Sequence, residues 1–100
     1  MNYGDYLQSD YWKKRRNIFI SQTHKRCFIC RNRNINSLEV HHKRYKNKRG
    51  QSILYNERHQ DFRLLCHVCH TKIHKYGLDE VLAQNKMKRT ALRDLLYSLE

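Results

Sequence analysis

The sequence predicts a small α+β domain in which two short strands lie between helices. Three observations predict it: helix-like periodicity near both ends of the chain, two short alternating segments in the middle, and two Cys-x-x-Cys pairs placed around those segments. One hundred residues fit a single domain close to the lower limit for a self-sufficient core. A bound metal would supply the missing stability.

The elements are expected in the order helix, strand, loop, strand, helix, helix. They are a helix at about 10–21, strands at about 37–42 and 61–66, a helix at about 69–76 and a final helix at about 79–98. Ser9 is a typical N-cap for the first helix, and Gly77 a typical end for the second. Residues 1–100 are therefore interpreted as one domain with a core at about 22–76.

The chain is strongly basic, with 21 Lys and Arg residues against 9 Asp and Glu and a net charge of +12. Such a field favours a polyanionic partner, and nucleic acid is preferred to a membrane surface because no long apolar stretch accompanies the charge. The basic run on the first helix is equally well explained as a solvated helix face. Candidate contacts to nucleic acid are Lys13, Lys14, Arg15, Arg16, Lys43, Arg44 and Lys46.

The first residues lack the basic start and apolar run of a signal peptide. No segment approaches the roughly 20 apolar residues of a membrane span. We therefore expect a cytoplasmic protein without a membrane partner, whose reduced thiols bind metal rather than form disulfides.

Cys27, Cys30, Cys66 and Cys69 are predicted to hold one structural Zn²⁺. Each Cys-x-x-Cys pair presents two thiolates from one tight turn, and the second pair completes a tetrahedron. A thioredoxin-like redox motif is the alternative, but it explains two pairs poorly. A site closed by four cysteines has no open position, so this metal would stabilise the fold and leave chemistry to other residues.

The histidines indicate a second, reactive metal site. His70 and His74 are four residues apart on a predicted helix and share one face. Zinc peptidases have a glutamate after the first histidine of such a pair, whereas Thr71 follows here. His41 and His42 are neighbours on a strand and point to opposite faces, so only one joins the metal. The other is free to activate water as a base for metal-assisted phosphodiester hydrolysis.

Together these residues resemble the HNH endonuclease family, the ββα-metal nucleases, in the zinc-stabilised branch found in bacteria and phages. The resemblance covers about residues 3–75. Its matching stretches are Tyr6-Leu7-x-Ser9-x-x-Trp12, Cys27-x-x-Cys30, Leu38-Glu39-Val40-His41-His42-Lys43-x-Tyr45 and Glu57-x-x-x-Asp61-Phe62-x-x-Leu65-Cys66-x-x-Cys69-His70-x-x-Ile73-His74. It implies a small ββα-metal (His-Me finger) domain with a structural Cys₄ zinc site and flanking N- and C-terminal helices.

The resemblance also implies roles for the histidines. His42 corresponds to the general base that activates water, and His41, His70 and His74 correspond to ligands of the catalytic cation. Mg²⁺, Mn²⁺, Ni²⁺ or Zn²⁺ are all conceivable at a site of three imidazoles.

Two acidic residues lie where the chain departs from the usual motif of this family. Asp61 stands where the family usually has Asn, and it is expected to shape the loop that holds the base. Glu57 is either a partner of an active-site group or a solvated loop acid.

By this resemblance the chain hydrolyses DNA phosphodiesters and leaves 5′-phosphate and 3′-hydroxyl ends. One site cuts one strand, so double-strand cleavage needs a homodimer, a second encounter or a partner. Small proteins of this type can act in restriction, in mobile-element cleavage, or beside the large terminase subunit in phage DNA packaging, which implies the cytoplasm of a bacterial or phage-infected cell. The alternative is a zinc-stabilised module that binds nucleic acid without cutting it, for which His42 need not be free of metal.

Overall fold

In the computed structural model, five α-helices surround one two-stranded sheet within the described residues, 2–98. The helices are α1 (Tyr3–Leu7), α2 (Asp10–Ser21), α3 (His67–Lys75), α4 (Asp79–Ala83) and α5 (Arg89–Ser98), and the strands are β1 (Leu38–His42) and β2 (Phe62–Cys66). Short 3₁₀ turns at Ile35–Ser37 and His59–Asp61 precede the strands. This is the predicted α+β class. Met1, Leu99 and Glu100, at the ends of the predicted domain, lie outside the described residues.

The N-terminal part contains one helix more than the sequence predicted. α2 covers the residues expected for the first helix, and the Ser9 hydroxyl accepts a hydrogen bond from the Trp12 N–H at 3.1 Å as its cap. Trp12 and Phe19 are seven residues apart and bury the same face of α2. The short α1 before it is capped in the same way, because the Asn2 side chain accepts from the Asp5 N–H at 2.8 Å.

The sheet is an antiparallel pair with helices on both faces. His42 lies opposite Phe62, and Leu38 lies opposite Cys66. α2 covers one face: the Trp12 ring lies 5.8 Å from the Phe62 ring and 4.8 Å from the His42 ring. α3 packs on the other face, where it meets the strand side chains that point away from α2. The hairpin therefore separates two chemical environments along β1.

α3 begins inside the second cysteine pair. It starts at His67, two residues earlier than predicted, because Cys66 acts as its N-cap and its sulfur accepts from the Cys69 N–H at 3.5 Å. Gly77 follows the helix in the left-handed region, at φ +64°, which a residue without a Cβ adopts at low cost. The cysteine pair and the histidines beyond it thus share one rigid element.

The single helix predicted at about 79–98 is wrong, because the structure has two helices there, α4 and α5. Asn85 adopts a left-handed conformation, at φ +51°. Its N–H donates to the Leu82 carbonyl at 3.4 Å, and the Lys86 N–H donates to the Val81 carbonyl at 3.1 Å. This pair of bonds closes a helix end. Apolar residues continue across the break, so their periodicity did not reveal it.

The Cys27–Cys30 turn is held by the sheet and by α5. The Phe28 N–H donates to the Leu64 carbonyl at 2.7 Å. From the other side, the Arg89 guanidinium donates to the Ile29 carbonyl at 2.6 Å. α5 therefore folds back over the cysteine region. None of the helices within residues 2–98 has the length and apolar character needed to cross a membrane.

Candidate functional site

The four cysteines meet where the first turn reaches the start of α3. All four are free thiols, and their sulfurs lie within 4.8 Å of one another. The Cys30 and Cys66 sulfurs are 3.6 Å apart. Two ligands of one tetrahedral Zn²⁺, each at about 2.3 Å, would be about 3.8 Å apart. The cluster could therefore hold a metal ion.

The protonation of these thiols fits a cation at their centre. Hydrogen bonding with Cys69 lowers the pKa of Cys27 to about 4. The same contact and burial raise the pKa of Cys69, and burial raises that of Cys66 to about 11. The Cys27 thiolate is thus stabilised by a neighbour, whereas ionisation of Cys66 and Cys69 is opposed. A divalent cation supplies the positive charge that lets all four sulfurs ligate as thiolates.

His41, His70 and His74 form a second cluster, on the α3 side of the sheet, with ligand nitrogens within 4.8 Å of one another. His41 Nδ1 is 3.2 Å from His70 Nε2, close to the roughly 3.4 Å expected for two nitrogens about 2.1 Å from one tetrahedral ion. His41 is buried, and its Nε2 has no hydrogen-bond partner among the described residues. Burial and the neighbouring imidazoles lower its pKa to about 3, so the ring is neutral and able to ligate. The three imidazoles could therefore hold a metal ion.

Two carboxylates orient the imidazoles of this cluster. His70 Nδ1–H donates to Glu39 at 2.8 Å, and His74 Nδ1–H donates to Asp79 at 3.0 Å. Such contacts fix a metal-binding histidine so that its Nε2 faces the ion. Sequence reasoning missed both acids. Strand alternation could have found Glu39, which lies two residues before His41 and so faces the same side. No signal pointed to Asp79, which the turn at Gly77 brings back to His74.

His42 faces the α2 side of the sheet and is enclosed by aromatic rings. It is only 2% exposed. Five ring centroids lie between 4.8 and 5.8 Å from its own, and they belong to Tyr3, Tyr6, Trp12, Tyr45 and Phe62. His42 is thus kept apart from the ligands of the α3 side, in a packed environment that fixes its orientation.

Glu57 is the buried partner of His42 rather than a solvated loop acid. Its Oε2 lies 2.9 Å from His42 Nε2, and the residue is 7% exposed. It also accepts hydrogen bonds from the Tyr6 hydroxyl and, at 3.4 Å, from the Tyr11 hydroxyl. These donors stabilise the carboxylate in an apolar setting. The carboxylate in turn holds the imidazole in one orientation.

The contacts of His42 define which nitrogen can accept a proton. Burial lowers the pKa of His42 to about 4 and raises that of Glu57, so the imidazole is neutral at pH 7. A neutral ring that donates Nε2–H to Glu57 has its lone pair on Nδ1. The Tyr3 hydroxyl lies 3.1 Å from that atom, and burial raises the Tyr3 pKa, so the hydroxyl keeps its proton and donates it. Sequence reasoning did not single out Tyr3.

One cleft joins the two histidine environments. It has a volume of about 490 Å³, and every residue of β1 lines it, so it runs along the free edge of that strand. His41, His70 and His74 line one part of it. His42 and Tyr3 line the other part.

Comparisons with models of protein families, with curated proteins and with solved structures found no match for this chain.

The chemistry open to this cleft depends on the donor atoms within it. Three imidazoles leave a fourth position of a tetrahedral cation for water or substrate, as reactive metal sites do. His74 is about half exposed, whereas His41 is buried. The cleft therefore combines three imidazoles that could hold a cation with a neutral, oriented imidazole.

Asp61 shapes the loop between the strands. Its carboxylate accepts from the Arg58 N–H at 2.8 Å and pairs with the Arg44 guanidinium at 3.2 Å. Its carbonyl accepts from the Lys43 N–H at 2.7 Å and so fixes the chain just after β1. These contacts tie residues 58–61 to the end of β1.

The predicted contacts to nucleic acid do not all lie on the surface. The exposed ones are Lys13, Lys14, Arg16, Arg44 and Lys46. Arg15 is half-buried, with its guanidinium 4.9 Å from the centre of the Phe62 ring. Lys43 is 8% exposed, and burial lowers its pKa. Its contact with nucleic acid stays a prediction.

Proposed function

We propose that this chain is a metal-dependent endonuclease of the HNH type, built as a ββα-metal domain, that hydrolyses DNA phosphodiesters. One observation carries the proposal. A single cleft contains three imidazoles placed for one cation and a fourth, neutral imidazole bound to a buried carboxylate. Phosphodiester hydrolysis needs this division between a charge-stabilising cation and a proton acceptor.

His41, His70 and His74 would hold the cation, which when bound offsets negative charge on the phosphate. His42 takes a proton from water at Nδ1, and Glu57 stabilises the imidazolium that results. The water oxygen bonds to phosphorus as the bond to the 3′ oxygen breaks. The products are a 5′-phosphate and a 3′-hydroxyl that takes its proton from solvent. The Tyr3 hydroxyl turns away from Nδ1 to admit the water.

The four cysteines would hold a structural Zn²⁺ away from this chemistry. The exposed lysines and arginines suit DNA as the substrate. Restriction, mobile-element cleavage and phage packaging beside a large terminase subunit all use this activity, and a homodimer would provide two sites for both strands. The reaction itself requires one chain.

A second candidate function is a zinc-stabilised module that binds nucleic acid without cutting it. The observation that favours it is the state of His42, which is 2% exposed and has partners at both ring nitrogens. A residue with a purely structural role would have the same contacts.

Plasmid nicking separates the two functions. Wild type, His42→Ala and the control His24→Ala, an exposed histidine outside the cleft, are compared with Mg²⁺, Mn²⁺, Ni²⁺ and Zn²⁺. We expect His42→Ala to lower the nicking rate by about 10²- to 10⁴-fold, as loss of a general base does, while DNA binding and the control are unchanged. If wild type binds DNA but nicks it with none of the four metals, the binding module is correct.

A further inference from the structure

The loop between the strands forms a basic cavity that no sequence motif indicated. This loop basin has a volume of about 740 Å³, and its basic wall residues are Arg44, Lys48, Arg49 and Arg58. The other lining residues are mainly amides and hydroxyls, with Ile53 as the apolar member. Its one acid, Asp61, is already engaged with Arg44. The basin therefore presents a positive and hydrogen-bonding surface.

The basin is a structured part of the loop. The Asn47 side chain accepts from the Arg49 N–H at 2.9 Å and from the Gln51 N–H at 3.0 Å, which closes the loop tip. Lys46 and Ser52 pair across the base of this tip. The backbone of the tip, which carries Lys48 and Arg49, is thus held by local hydrogen bonds.

A second cavity, of about 670 Å³, connects the loop basin to the cleft. Arg44, Asn47 and Lys48 line both the basin and this cavity. His42 and Tyr45 line both this cavity and the cleft. The three spaces therefore adjoin one another along a path from the loop tip to His42, and Asp79 and Glu80 of α4 lie on its far wall.

We propose that this path binds the phosphate backbone of a nucleic acid and directs it to the cleft, with Lys48, Arg49 and Arg58 as phosphate contacts. The inference rests on the proposed function in taking nucleic acid as the ligand. Several cations beside many amides suit phosphate and sugar oxygens. A membrane surface would need apolar side chains to insert, and the basin has only Ile53.

The test is a titration of DNA binding against salt. Fluorescence anisotropy of a labelled duplex is measured in a His42→Ala background, which prevents cutting, with the triple substitution K48Q/R49Q/R58Q. The matched control R33Q/K86Q/K88Q removes the same charge at residues outside all three cavities. We expect the basin variant to bind about tenfold or more weakly and its slope of log affinity against log salt to shrink by about 3, since each lost contact removes about 0.9. R49Q alone, at the exposed tip, should shrink the slope by about 1.

Equal affinity and slope in the two triple variants would overturn the inference. So would an unchanged slope for DNA together with lost binding to phosphatidylserine vesicles, which would assign the basin to membranes. A chain that binds DNA through the basin but never nicks it would leave this inference standing and overturn the proposed nuclease.

Discussion

At the scale of single residues, two adjacent histidines have different partners because a strand alternates. His41 meets other imidazoles on the α3 side, whereas His42 meets Glu57 on the α2 side. Carboxylates define both environments, since Glu39 orients His70 as Glu57 orients His42. The chemistry expected of each imidazole therefore depends on which acid it contacts.

Glu39→Gln tests the orientation of the metal site. The amide keeps the size of the side chain but removes the charge that holds His70 Nδ1–H. We expect the affinity for Ni²⁺, measured by calorimetry with the cysteine site filled by zinc, to fall by about 10- to 100-fold. Glu80→Gln, on the exposed surface of α4, is the control and should leave it unchanged. Equal affinities in the two variants would show that Glu39 does not position a ligand.

At the scale of elements, the ends of helices determine how the chain returns to the cysteine region. Gly77 ends α3 and Asn85 ends α4, both in the left-handed region. The turn after α4 lets α5 fold back so that Tyr97 lies 3.1 Å from the Cys69 sulfur and Arg89 contacts the first cysteine turn. A continuous helix would project past this region instead.

Substitutions at Asn85 test this helix break. A left-handed residue with a Cβ is strained by about 1 kcal/mol, less for Asn than for Ala, and glycine avoids the strain. We expect Asn85→Gly to match or exceed wild type in the free energy of unfolding, and Asn85→Ala to lose about 1 kcal/mol. Urea unfolding at a fixed zinc concentration measures both. If Asn85→Ala were the more stable variant, residues 79–98 would favour one helix.

At the scale of the whole molecule, two clusters that could each hold a metal ion lie in different parts of the fold. The cysteine cluster joins the first turn, the end of β2, the start of α3 and α5, so it ties distant parts of a 100-residue chain together. The histidine cluster lies at the cleft and contacts fewer elements. Removing the metal from the cysteine cluster should therefore have a different consequence from removing it from the histidine cluster.

Metal removal tests this division. We expect wild type to bind two zinc ions per chain and His70→Ala/His74→Ala to bind one, with an unchanged far-UV circular dichroism spectrum. Chelation strong enough to empty the cysteine site should unfold both proteins, and added zinc should restore them. Metal analysis and circular dichroism are the measurements. A metal-free chain that keeps the folded spectrum would contradict the structural role.

Much of the fold was predictable because its signals are local. The Ser9 cap and the strand alternation each act within a few residues, and α2, β1 and β2 lie within a residue or so of the predicted bounds. The final helix was wrong because Asn85 is a weaker stop signal than glycine. Tyr3 was missed because its contact with His42 joins residues 39 apart in sequence. Asp79 was missed because it meets His74 only through the turn at Gly77, which has no periodic signal.

The sequence by itself determined which side chains could bind metal, since a spacing of three residues in the cysteine pairs and four in the helical histidines places ligands on one turn or one face. It also determined that His41 and His42 point apart. Only the tertiary structure decided what each of them meets. Glu57 reaches His42 because the loop between the strands turns back on the hairpin, and Asp79 reaches His74 because the left-handed turn at Gly77 brings α4 back to the end of α3. Neither contact has a periodic signal in the sequence, because each depends on how a turn directs the chain.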